Sequence, residues 1–185
     1  MKKQIIKMSM LAMMVMGGVN AAHAATSSTV TVSGAVNAVT CQLGLDKASL
    51  DLGAALPGDF VAPNSIIKEQ KVTATLTNCG AGVTGASAGV QVSGSVISGA
   101  SNNDIFGSDV NATWGFGVVK DGGAKTALIK NGAMLDAIAN GTAGTALENS
   151  TYVAEIGLVA PVTTGSAVKA SPAQTAPILF AFVNP

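Results

Sequence analysis

Hydrophobic and polar residues alternate along this chain in short runs broken by Gly, Asn and Asp, and a helical period is almost absent. A period of two sends successive side chains to opposite faces of an extended strand, so each run predicts a strand with one buried face. The first run is STVTVSGAV (28–36), with Val30, Val32, Gly34 and Val36 on one face and Thr29, Thr31, Ser33 and Ala35 on the other. SLDLG (49–53) alternates Leu50 and Leu52, and KVTATLTNC (71–79) alternates Val72, Ala74 and Leu76. GVQVSG (89–94) is a short strand, and TWGFGVVK (113–120) a longer one. TYVAEIGLVAP (151–161) keeps one phase until Pro161, and QTAPILFAFV (174–183) puts Ile178, Phe180 and Phe182 on one face. KDGGAK (120–125) predicts a hairpin turn leading to Leu128 and Ile129. The alternation fails in 124–141, where residues 133–139 predict a turn of helix within a loop, while 80–88 and 98–104 read as loops. Strands rich in Val and Thr with frequent Gly punctuation predict one all-β domain, a sandwich or barrel.

The N-terminus follows another pattern. Lys2, Lys3 and Lys7 precede an apolar run, MSMLAMMVMGGV (8–19), which is short for a membrane span, and then the small residues of Ala22-His23-Ala24. This is the form of a secretory signal peptide, cleaved between Ala24 and Ala25. Residues 1–24 are therefore expected to leave, with 25–37 becoming the N-terminal arm and 38–185 the β domain.

Removing the signal changes the chemistry that remains. The sole histidine, His23, goes with it, and so do six of the seven methionines. A chain without histidine cannot build a Ser-His-Asp or Cys-His arrangement, nor a His-ligated metal site, so the reading is a protein without enzyme activity, cofactor or metal. The ten carboxylates are scattered as solvated loop charges. Seven lysines and no arginine face ten Asp and Glu, a balance with no electrostatic footprint for nucleic acid or an anionic membrane. Cys41 and Cys79 are the only cysteines. In an exported chain with no other thiol, they are expected to form a disulfide.

Two other features bear on function. Asn111-Ala112-Thr113, Asn140-Gly141-Thr142 and Asn149-Ser150-Thr151 match the glycosylation pattern, which arises readily by chance in so Asn- and Thr-rich a chain. Trp114 and Phe116 could stack on a sugar, although a Trp-x-Phe pair on a strand is more often core.

The order of these features resembles the pilins of the chaperone–usher pathway, close in pattern to type 1 fimbrial major subunits. The matched positions are the alternating arm with its glycine (Val30, Val32, Gly34, Val36), the cysteine seven residues past that glycine (Cys41), the LDLG run, and a strand patterned A-x-L-x-x-C (Ala74, Leu76, Cys79). The resemblance spans essentially the whole chain after the signal. It implies an incomplete immunoglobulin-like β-sandwich, the pilin fold, lacking its last strand and completed by a donor strand from a neighbouring subunit. By that resemblance residues 28–36 are the donor strand, with Ser28, Val30, Val32, Gly34 and Val36 entering the groove and Ser28 the first point of exchange. Ile178, Phe180 and Phe182 would border the groove and contact the chaperone. Members of the family end in an aromatic strand with a penultimate Tyr, whereas this chain ends Phe182-Val183-Asn184-Pro185.

The function so implied is a structural subunit of a bacterial surface fimbria. It would be exported through the periplasm, with identical or related pilins, a periplasmic chaperone and an outer-membrane usher as partners. It would polymerise by donor-strand exchange into a rod used in adhesion. The alternatives are a minor or adaptor pilin and a monomeric secreted carbohydrate-binding sandwich using Trp114.

Overall fold

A computed structural model of the chain describes residues 41–80, 82–83, 88–98, 100, 103–161, 168–170 and 173–184. The expected signal, its expected cleavage point at Ala24 and Ala25, and the expected strand over 28–36 lie outside the described residues.

The described chain forms two antiparallel sheets. Eight strands follow one another: β1 (Gln42–Leu45), β2 (Ile67–Thr77), β3 (Ala88–Gly94), β4 (Ile105–Phe106), β5 (Gly115–Lys120), β6 (Met134–Ile138), β7 (Thr151–Val159) and β8 (Ile178–Val183). The larger sheet has the order β1-β2-β7-β5-β4 and the smaller β6-β3-β8. Among the described residues, helix is confined to a 3-10 turn at Pro57–Asp59 and one helical turn at Gly144–Leu147.

Alternation puts the core between the sheets. Val72, Ala74 and Leu76 of β2, Val118 of β5, and Ala154 and Ile156 of β7 face Val90 and Val92 of β3, Leu135 and Ile138 of β6, and Phe180 of β8. At roughly 25 cal/mol per Å² of apolar surface, this interior carries most of the folding energy. A second cluster lies beyond the sheet: Ile66, Ile97, Ile105, Val119 and Val159, with Leu128 packed against it. Gly117 makes room for that cluster, since a Cβ there would sit 2.7 Å from Leu128 Cδ2 and 2.8 Å from Ile66 Cγ2.

Cys41, at the entry to β1, is joined to Cys79, just past the end of β2, by a disulfide with a Cα–Cα distance of 4.2 Å. The bridge closes one end of the β1–β2 pair, whose register runs from Gln42↔Thr77 to Leu45↔Ala74.

Three sequence expectations are corrected. Residues 133–139 form no helix: Met134–Ile138 is β6, paired with β3. Leu135 and Ile138 lie three apart, a spacing that mimics a helical face, but the strand places both in the core through a register shift in its pairing with β3 between Val90 and Gln91. Residues 49–53 keep their alternation, with Leu50 and Leu52 packed on the core, yet join no ladder. The β2 residues they would meet run into an irregular register between Ile67 and Gln70, where Lys68 has a φ of +51°. The turn after Lys120 does form, with the Gly123 N–H donating to Lys120 C=O, but Leu128 and Ile129 make no return strand. Ile129 N–H gives a single bond to Val118 C=O before the chain crosses to the other sheet.

Candidate functional site

The two sheets are unequal. With strands about 4.8 Å apart, five strands span roughly 19 Å and three roughly 10 Å, so the smaller sheet cannot cover the larger one. The uncovered strip lies beside β8, which pairs with β3 and with no other strand among the described residues.

A cleft of ≈ 580 Å³ occupies this strip. Its floor is the inner face of the larger sheet, including Val72, Ile156 and Phe116. One wall is the segment leaving β1, from Leu45 to Gly53; the other is Ala173–Ile178 and Phe180. Along residues 47–53 and 173–177 both walls are extended chain that joins no sheet among the described residues. Residues 47–53 carry no sheet pairing and are tied to β2 by side chains instead. Lys47 Nζ donates to Lys71 C=O at 2.6 Å, and Gln70 Nε2 donates to Asp51 C=O at 2.7 Å. Residues 173–177 continue the β8 alternation, with the odd positions exposed and Gln174 and Ala176 half-buried, and they too join no ladder. The result is an apolar trough between two strand-like edges, a form that takes up an extended chain by main-chain hydrogen bonds and alternate side-chain contacts.

A second cavity of ≈ 490 Å³ opens from one end of the cleft, sharing Asp51, Gly53, Trp114, Leu158 and Ala173 with it. Its own walls are Ala54–Pro57 and Phe60 on one side and Val168–Ala170 on the other. Phe60, Leu158, Ala160 and Val168 form a buried cluster beneath it. The shared residues also fix the direction of the walls. Numbers rise from Leu45 to Gly53 towards the second cavity along one wall and fall from Phe180 to Ala173 along the other, so the walls run antiparallel. Trp114 precedes β5, lies at the junction of the two cavities, and meets Phe116 edge-to-face with ring centroids 6.1 Å apart.

Ile178 and Phe180 line the cleft, and Phe182 is half-buried against the core further along β8. Ser28, Val30, Val32, Gly34 and Val36 fall outside the described residues. Sequence reasoning missed the second cavity. Its signal was Leu56-Pro57-Gly58-Asp59, a turn composition that the structure closes by Leu56 N–H donating to Asp59 Oδ2 at 2.8 Å.

Lys47 and Asp51 also line the cleft, and Asp51 and Lys169 the second cavity, but the paired charges gather on the outer face of the larger sheet. Glu155 of β7 is buried and pairs with Lys125 and, at 3.7 Å, with Lys71. Lys71 also meets Asp121 at 2.6 Å, and Lys125 meets Glu69 at 3.1 Å. The hydrogen bond from Lys71 holds the Asp121 carboxyl below its usual range and raises the lysine in return. The bond to Glu155 raises Lys125. A main-chain hydrogen bond, helped by Lys125, lowers Glu69. The network braces β2, β7 and the turn after β5. Among the described residues, no group of three or more His, Cys, Asp or Glu is placed to hold a metal ion.

No protein-family profile and no curated protein matches the sequence. Among solved structures, the fold is similar to the crystal structure of the P pilus rod subunit PapA. The TM-score is 0.50 and the identity 19%, covering 85% of this chain and 100% of that one. The chain has the fold of a pilin: two antiparallel sheets forming an immunoglobulin-like sandwich that is incomplete along the edge beside β8.

Proposed function

We propose that this protein is a structural subunit of a bacterial surface pilus, of the type 1 major-subunit kind, and that residues 28–36 of one copy fill the cleft of the next. The observation that carries this reading is the mostly apolar cleft between Leu45–Gly53 and β8, bounded by two edges to which no further strand is paired among the described residues. The arm has the matching form: an alternating run with Val30, Val32 and Val36 on one face and no charge anywhere in residues 25–37. An edge this open invites pairing with any strand, so a chaperone that covers it before assembly and an usher that exports the subunit complete the proposal. The destination is the cell surface, in an adhesive fimbrium.

Gly34→Arg tests it. Gly34 is the one position on the arm's inward face without a side chain, and an arginine there would have to force its long charged side chain between mostly apolar walls. Purified chain is expected to form filaments visible by negative-stain electron microscopy, and Gly34→Arg chain to remain unassembled while still binding a synthetic peptide of residues 25–37. A chain that stays monomeric at high concentration and ignores the peptide would overturn the reading.

A further inference from the structure

The cleft is too short for everything that must pass through it. Its walls, Leu45–Gly53 and Ala173–Phe180, are nine and eight residues long, roughly 25–30 Å of extended chain. The arm's apolar stretch from Val30 to Val36 needs roughly 20 Å of that. The second cavity then remains, continuous with the cleft but beyond the reach of the valines. Apart from Asp51 and Lys169 its lining is apolar, with Leu56 72% exposed on its wall and Val61 78% exposed just past it.

We propose that this cavity seats residues 37–40 of a second copy of the chain, the linker between the inserted arm and that copy's own Cys41. The inference rests on the donor-strand reading above. Direction decides which part of the arm arrives here. A strand adding to the free edge of β8 in the antiparallel sense, the more stable pairing, runs alongside the opposite wall from Leu45 towards Gly53. Its C-terminal end therefore leaves the cleft at Gly53 and Ala173, where the second cavity opens. The residues that follow are Asn37-Ala38-Val39-Thr40. Ala38 continues the inward phase of Val36, and Val39 is the apolar residue that can reach the rim at Leu56. An arm inserted the other way would bring Ala25 to Thr29, small and mostly hydroxylated, against an apolar chamber. The cavity thus adds the donor's linker to the interface and favours one direction of insertion.

The test compares two labelled peptides, residues 25–37 and 25–40, on the full chain carrying Gly34→Arg, whose own arm cannot compete. The longer peptide is expected to dissociate about tenfold more slowly. Leu56→Lys in the acceptor, or Val39→Asp in the peptide, should abolish that gain while leaving the shorter peptide unchanged. Leu56 is a surface residue, so the variant folds; its melting temperature without peptide checks this. Equal dissociation of the two peptides, or a gain that survives Leu56→Lys, overturns the linker seat and leaves the donor-strand reading standing. If neither peptide binds, both fall.

Discussion

Glu155 shows how a single residue can be buried with its charge. It is 6% exposed on the outer face of the larger sheet, opposite the buried Val119, and it is tolerable there because Lys71 and Lys125 both reach it. Each lysine also has a second carboxylate, Asp121 or Glu69, so deleting the Glu155 charge strands neither. Glu155→Gln is therefore expected to lower stability in urea titration by only about 1 kcal/mol, less than for a pair with no such backup. The pH dependence follows from the directions of the shifts. Asp121 and Glu69 are lowered, so their contribution is present above their unfolded values and fades as pH falls below about 4. Lys71 and Lys125 are raised, so theirs is present below about pH 10.5 and fades as pH rises through the folded values. Melting temperature against pH should show a plateau between these limits. Because the four groups are exposed, the flanks should flatten in high salt.

Among the elements, those with strict alternation were legible from the chain alone: Val72-x-Ala74-x-Leu76 became β2 and Tyr152-x-Ala154-x-Ile156 became β7. What failed was context. Leu50 and Leu52 alternate as well as any strand, but whether they pair depends on a register shift in β2 more than fifteen residues away. Leu135 and Ile138 mimic a helical face because the pairing of β6 with β3 slips, and β4, only two residues long, leaves no period to detect. The cleft was legible only through the family resemblance, since periodicity cannot say that a sandwich lacks a strand. At this scale Gly115 is the sharpest test. A Cβ there would lie 2.4 Å from Phe106 C=O, against main chain that cannot swing aside. Gly115→Ala should push β4 off the sheet edge and cost about 1–3 kcal/mol, seen as a lower urea midpoint. Phe106, fully buried in the core, would transmit the shift.

For the whole molecule, a cleft that can take up an extended chain means that stability can be gained by binding. Any ligand that binds only the folded form stabilises it by about 2.7 kcal/mol at one hundred times its Kd. For a domain of this size that corresponds to roughly 5–10 °C in melting temperature. Peptide 25–37 added at that excess to the Gly34→Arg chain is expected to raise the melting temperature by this amount, and a peptide carrying the same arginine to leave it unchanged; calorimetry reads both.

The position of the disulfide has a mechanical consequence. In a filament held by inserted arms, tension would enter each subunit's body through the residues just before Cys41. There it meets β1, four residues long and at a sheet edge, which a pull at its end could unzip one rung at a time. The bond to Cys79 hands that load directly to β2, eleven residues long and paired on both sides. Force then acts along two ladders at once, and many hydrogen bonds must shear together before any one can give. In such a filament the covalent bridge would lie between the most loaded point of the subunit and β2, the longest strand among the described residues, so the reduced protein should tear at β1 under forces that the oxidised protein withstands.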